Sequence, residues 1–162
     1  TIVLRTGEED FYHILPSAQD ISDNYIDFGF LQTNVSAIGT MYKVIDPKHF
    51  VSATGYRDFL PVDLTIAFDY YDELAHQDGT LVIEFKPNDG GKSSSWTVVS
   101  DDASCDVRLK CCLADLSSLL MGSCRLSSLV RLGSFELSDT AYEDTLDVLF
   151  YCKQKPWTNT DY

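Results

Sequence analysis

No apolar run in this sequence approaches the ~18 residues that a membrane-spanning helix needs, and no signal-peptide pattern opens it. A cytoplasmic protein with no membrane partner is the expectation. Basic residues are scarce, 12 Lys and Arg against 25 Asp and Glu, for a formal net charge of -13. A phosphate backbone or an anionic bilayer needs a basic surface, so no nucleic-acid role is expected. Cationic small molecules suit this field better, although acidity by itself also keeps a protein soluble. The five cysteines, Cys105, Cys111, Cys112, Cys124 and Cys152, are an odd set without a C-x-x-C spacing. Neither a disulfide framework nor a zinc site follows, and reduced thiols do. Internal repeats and low-complexity linkers are missing as well.

What is present is 44% hydrophobic and 12% aromatic residues in 162, enough for one substantial core and too little for two large domains. Residues 1–39 open with apolar bursts at Thr1–Leu4, Phe11–Leu15 and Tyr25–Leu31, separated by turn-rich stretches, and read as strands of a sheet whose remainder lies elsewhere. The first residue is Thr1, which suggests an excised or processed piece. From Thr40 the pattern is more self-contained. Thr40–Asp46 reads as a strand, and Asp46 followed by Pro47 reads as a helix start, with a capping acid before proline at N1. That helix ends near Gly55.

Alternation over Val62–Phe68, Thr80–Phe85, Trp96–Val99 and Cys105–Cys111 predicts half-buried strands in antiparallel pairing. Asn88-Asp89-Gly90-Gly91 supplies a turn. The period then changes to helical. Leu113, Leu116, Leu119 and Leu120 stop at Gly122, Leu126–Leu132 stops at Gly133, and Tyr142, Leu146, Leu149 and Phe150 line a helix whose start is a capping box over Thr140–Glu143. Strands first and helices last predict an α+β fold, a mainly antiparallel sheet covered by helices.

The segment Gly39-Thr40-Met41-Tyr42-Lys43-Val44-Ile45-Asp46 resembles the junction before the C-terminal domain of acetyltransferases of the enhanced-intracellular-survival (Eis) type. Asp106–Leu109, Ala114–Gly122 and Leu129–Gly133 look like that family's strand, helix, glycine and helix succession, and Pro156-Trp157 with an aromatic last residue resembles its close. The resemblance implies closing strands of a GNAT-fold domain in residues 1–39 and a sterol-carrier-protein-like domain in 40–162. It also implies an N-acetyltransferase using acetyl-CoA on amines such as aminoglycosides or polyamines. Partners would be the preceding GNAT domains and, in a homo-oligomer, further copies. The acetyl-CoA loop and general-acid tyrosine of that family belong to its first domain, so this segment would be inactive alone and bind no cofactor itself. Its own contribution would be the terminal carboxylate of Tyr162, with Trp157 packing the tail and Asp161 beside the substrate.

Other readings stay open. Such a domain could carry a lipid in a tunnel lined by Leu116, Leu119, Leu120, Leu146, Leu149 and Phe150, or those residues could fill a core; it could also serve chiefly to join subunits. Gly90-Gly91-Lys92 reads as a hairpin turn between strands, not as a phosphate cradle. Asp69, Asp72, Glu73, Asp78 and His76 lack the spacing of a calcium loop and read as solvated acids, with no metal expected. His13 and His49 with a cysteine make no nucleophile motif, for no G-x-S-x-G turn is present.

Overall fold

Asp46 and Pro47 begin a helix as their chemistry suggests. The Asp46 carboxylate accepts from the His49 backbone N–H at 2.9 Å, Pro47 has no N–H to leave orphaned, and helix α1 runs over Pro47–Ala53. The computed structural model describes residues 43–153, 155 and 156. The sequence-based strand over 40–46 is corrected where it enters that range: residues 43–46 join no strand. Val44 is buried and Ile45 is 86% exposed, so the alternation is real. Its backbone partner, however, is a helix: the Val44 N–H donates to the Ser117 hydroxyl at 3.0 Å.

Four strands follow where alternation places them: β1 (Leu64–Asp72), β2 (Gln77–Pro87), β3 (Ser94–Val98) and β4 (Val107–Cys112). Helices α2 (Leu113–Leu120) and α3 (Leu126–Arg131) come next, then a two-residue strand β5 (Glu136–Leu137) and helix α4 (Glu143–Phe150). The sheet order is β3-β2-β1-β4-β5. Three of its pairings are antiparallel, and β1 with β4 is parallel, with Ile66 opposite Val107. Alternation does not encode direction, so this pairing was not legible. It needs no crossover helix because Val98 and Val107 both lie level with Ile66 across the sheet. The connection has only to pass two strands, roughly 14 Å at ~4.8 Å per strand spacing. Residues 99–106 reach that far at about 3.3 Å each.

Both short helices end as their glycines direct. Gly122 and Gly133 adopt φ of 75° and 77°, which a side chain would oppose, and Ser123 and Ser134 donate back to the carbonyls of Ser118 and Leu129 at 3.0 and 2.9 Å. The start of α4 differs from expectation. Asp139, not Thr140, caps the turn by accepting from the Ala141 N–H at 2.9 Å, and a 3-10 turn over Thr140–Tyr142 leads into the helix. The shorter loop from Asp139 satisfies the first free N–H before a Thr140–Glu143 box can form.

One face of the sheet carries Ile66, Phe68, Leu81, Ile83, Phe85, Trp96, Val107 and Leu109, and these join Leu116, Leu119, Leu120, Leu126 and Leu146 from the helices in a single buried cluster. Phe150 sets its ring edge-on against Phe68 and Phe85, with centroids 6.0 and 6.1 Å apart. Trp96 contacts Phe59 at 4.6 Å and donates its indole N–H to the Thr54 carbonyl at 3.0 Å. Arg57 lies over both the Phe59 and Trp96 rings, at 5.2 and 5.1 Å, and donates to the Leu120 carbonyl at 3.0 Å, closing the end of α2. Among the described residues the two buried polar side chains are both satisfied: Ser94 accepts from the Val62 N–H and donates to the Val62 carbonyl, and Ser117 donates to the Leu113 carbonyl.

Replacing Phe150 with Ala removes the ring that two strands close upon and should cost about 3–5 kcal/mol of stability. Thr97→Ala, at an exposed position of β3, should stay within about 0.5 kcal/mol. Urea midpoints at unchanged slope check both values.

Candidate functional site

The sequence-predicted site residues, Trp157, Asp161 and Tyr162, lie outside the described residues, as do His13 and the strands expected in 1–39. Within the described part, chemistry concentrates on the sheet face turned away from the helices. Strand parity puts Asp69 on β1, Thr80 on β2 and Arg108 on β4 side by side there. The Arg108 guanidinium donates to both Asp69 oxygens at 2.8 and 2.9 Å, and the Thr80 hydroxyl donates to Asp69 at 3.1 Å. A further sulfur contact, Cys105 at 3.9 Å, completes the surroundings of Arg108. Asp69 raises the pKa of Arg108, so the pair is a fixed, neutralised bridge. A half-exposed ion pair of this kind orders three strands more than it stabilises them.

Beside this pair lies an open hollow of about 360 Å³, lined by Asp69, Tyr71, Asp78, Thr80 and Lys110. A smaller one, about 80 Å³, is bordered by Lys43, Asp72, Leu74 and Cys112. The acids expected to be solvated diverge. Asp69 serves Arg108, and Asp72 accepts from the Lys43 ammonium at 2.7 Å and from the N–H groups of Leu74 and Ala75. His76 meets the Tyr71 hydroxyl at 3.2 Å. Among the described residues no group of three or more His, Cys, Asp or Glu is placed to hold a metal ion. Gly90, Gly91 and Lys92 lie in the β2–β3 turn, which joins two strands and opens no helix.

The five cysteines are unpaired. Burial pushes the Cys111 thiol far above its ordinary value, with the nearby Cys112, Asp115 and Asp69 adding to the shift. Cys112 is raised chiefly by burial too, and its thiol donates to the Asp115 carboxylate while its sulfur accepts from the Asp115 N–H. Neither is an activated nucleophile.

The leucine stripes face a closely packed interior among the described residues. A tunnel wide enough for an acyl chain would leave its walls accessible to water. Leu116, Leu120 and Leu146 are 0% exposed, Leu119 is 1%, and Phe150 and Leu149 are 3% and 5%; the sheet residues facing them, Ile66, Phe68, Leu81, Ile83 and Phe85, are all at 0%. These side chains fill the core they enclose.

Sequence reasoning did not single out Arg57 or the Asp69–Arg108 pair. The signal for the pair was available: an arginine and an aspartate both at outward parity in strands that turn out to be neighbours. The pairing itself was not.

A mixed five-stranded sheet covered on one face by short helices defines an α+β domain of carrier-protein type. The chain belongs to the sterol carrier protein domain family, whose model matches residues 47–159. Among solved structures, Eis1 from Mycobacterium abscessus is similar at 17% identity and a TM-score of 0.52, over 74% of this chain and 27% of that one. A GCN5-related N-acetyltransferase from Kribbella flavida matches at 18% identity and 0.48, over 70% and 27%. The sterol carrier protein domain 2 of Helicoverpa armigera matches at 13% identity and 0.39, over 62% and 69%. The chain thus spans about a quarter of the length of the first two proteins. No curated protein matches it.

Two outcomes test this account of the surface. Alkylation of the native protein should label the exposed Cys124 readily and the half-buried Cys111, whose thiol burial holds in its protonated form, much more slowly, as peptide mapping would show; equal rates at the two would contradict this difference. The second concerns Asp72, whose hydrogen bonds from Lys43 first, then from the N–H groups of Leu74 and Ala75, lower its pKa below the ordinary 3.8. A carboxyl depressed in the folded state stabilises above its unfolded pKa and stops doing so as pH falls through the folded one. Asp72→Asn keeps an oxygen for the turn and removes the charge. Its stability deficit should therefore be present at neutral pH and vanish in acid below that depressed pKa, which denaturation at a series of pH values would follow.

Proposed function

We propose that this chain is the C-terminal part of an acetyl-CoA-dependent N-acetyltransferase of the Eis type, acting on an amine and inactive without the domains that bind acetyl-CoA. The observation that carries this over the family's other role, apolar-ligand transport, is the filled interior: the residues that would wall a tunnel are packed against one another. The fold shared with Eis1 and the motif order from Gly39 to Pro156-Trp157 support the same reading. In it, residues 1–39 close a GNAT-fold domain and the rest is the carrier-like domain. The preceding GNAT domains and further copies in a homo-oligomer are its partners.

On this reading the domain serves catalysis through its tail. A free α-carboxylate titrates at roughly 3.5, so the terminal group of Tyr162 is ionised at neutral pH. It attracts the substrate ammonium and passes its proton on through water, with Trp157 seating the tail and Asp161 adding a second negative charge beside the amine. The net charge of -13 favours such cationic substrates.

Deleting Asp161 and Tyr162 from the full-length enzyme should lower kcat by about a hundredfold or more, the range of a lost acid–base group, and leave the melting temperature nearly unchanged. Unchanged turnover removes the carboxylate from the mechanism. Stoichiometric lipid extracted from the purified protein, with no acetyl transfer to any amine, would favour the carrier role instead.

A further inference from the structure

The chain has two Asp–Gly dipeptides, Asp78–Gly79 and Asp89–Gly90, in opposite surroundings. Gly79 lies within β2 opposite Tyr70, whose ring occupies the space a Cβ would take. The ladder's alternation also fixes its N–H. Thr65 bonds on the β4 side, accepting from Asp106 at 2.8 Å, and Val82 bonds on the β3 side, accepting from Val99 at 3.0 Å. Even-numbered residues of β1 and odd-numbered residues of β2 therefore bond each other, which turns the Gly79 N–H toward Tyr70.

Asp89–Gly90 sits in the β2–β3 turn and is exposed. The turn is held by its flanks: Asn88 N–H to the Ser93 carbonyl and Gly91 N–H to the Asn88 carbonyl, both 2.8 Å, with the Asn88 and Ser93 side chains donating to Asp58. None of these bonds engages the Asp89 carboxyl or the Gly90 N–H. Gly90 has φ of 101°, and nothing lies within 4 Å of where its Cβ would be.

We propose that Asp89–Gly90 is a site of spontaneous isoaspartate formation and that the sheet protects Asp78–Gly79 from the same reaction. The Gly90 nitrogen attacks Asp89 Cγ; the N–Cγ bond forms, the Cγ–OH bond breaks, and the amide proton leaves with the hydroxyl as water, giving a succinimide. Water then adds to the ring. Cleavage of the bond from nitrogen to Cγ returns aspartate, and cleavage of the bond from nitrogen to the main-chain carbonyl gives isoaspartate, with no net change in mass or oxidation state. A nitrogen without a side chain beside it and without a protein acceptor can reach that geometry. An extended, hydrogen-bonded Gly79 cannot without local opening of the sheet. The product lengthens the main chain by one methylene between Asn88 and Gly91 and presents the kind of carboxylate that isoaspartyl methyltransferases recognise.

The test is to hold the purified chain at mildly acidic pH and physiological temperature, then map isoaspartate by enzymatic carboxyl methylation and by peptide fragmentation. Isoaspartate should accumulate at Asp89 at least about tenfold faster than at Asp78, whose reaction must wait for opening. In Asp89→Glu, an exposed substitution that enlarges the ring to be closed, the Asp89 signal should disappear. In denaturant the two sites should react alike. Equal rates in the folded chain, no product at Asp89, or a persisting preference for Asp89 after unfolding would each overturn the proposal.

Discussion

The edge-on contact of Phe150 with Phe68 and Phe85 is the constraint around which this domain closes. The three rings come from the last turn of α4 and from the middle strands β1 and β2, so the contact ties that helix to the centre of the sheet. Aromatic pairs in this geometry contribute about 0.5–1.5 kcal/mol beyond the area they bury. The larger consequence is volume. Once the rings are in place the space between sheet and helices is occupied, and Leu116, Leu120 and Leu146 complete the layer with no exposed surface.

A second group at the sheet's other end depends on this closure. Trp96 is buried on β3 only because α1 and the following loop cover it, and the loop is held there by the Thr54 carbonyl on the indole and by Arg57 stacked over the ring. Arg57 also reaches the Leu120 carbonyl at the end of α2, a helix whose leucines share the buried cluster with these phenylalanines. One cation thus satisfies a helix terminus and covers two aromatic faces.

Much of this was legible. Period-2 alternation located β1 to β4 within a few residues, and glycine at 122 and 133 marked helix ends for a reason the left-handed φ values make physical. What was not legible depended on partners distant in sequence. The parallel β1–β4 pairing, the two-residue β5 and the Asp69–Arg108 bridge exist only once strands have been ordered. Residues 43–46 carried a correct in-and-out pattern but hydrogen-bond to a helix hydroxyl, which alternation cannot distinguish from a strand partner. At the start of α4, two adjacent capping residues competed, and the nearer-reaching Asp139 won. The tail residues Trp157, Asp161 and Tyr162 were singled out by resemblance alone; their spacing carries no chemistry of its own.

Family membership and interior packing bear differently on function. A sheet roofed by helices can be hollow or full with the same strand order, because strand order is fixed by backbone pairing and the space beneath the helices by side-chain volume. Here the positions that face that space are Phe68, Phe85 and Phe150, together with Ile66, Leu81, Ile83, Leu116, Leu120 and Leu146 at zero exposure. To make room for an acyl chain, several of these would have to leave their packed positions together, each losing about 1.5–3 kcal/mol of burial unless the ligand replaced it. A ligand would have to restore those contacts as it entered. The fold is therefore shared with carriers, while the space between sheet and helices is set by the volume of these particular side chains.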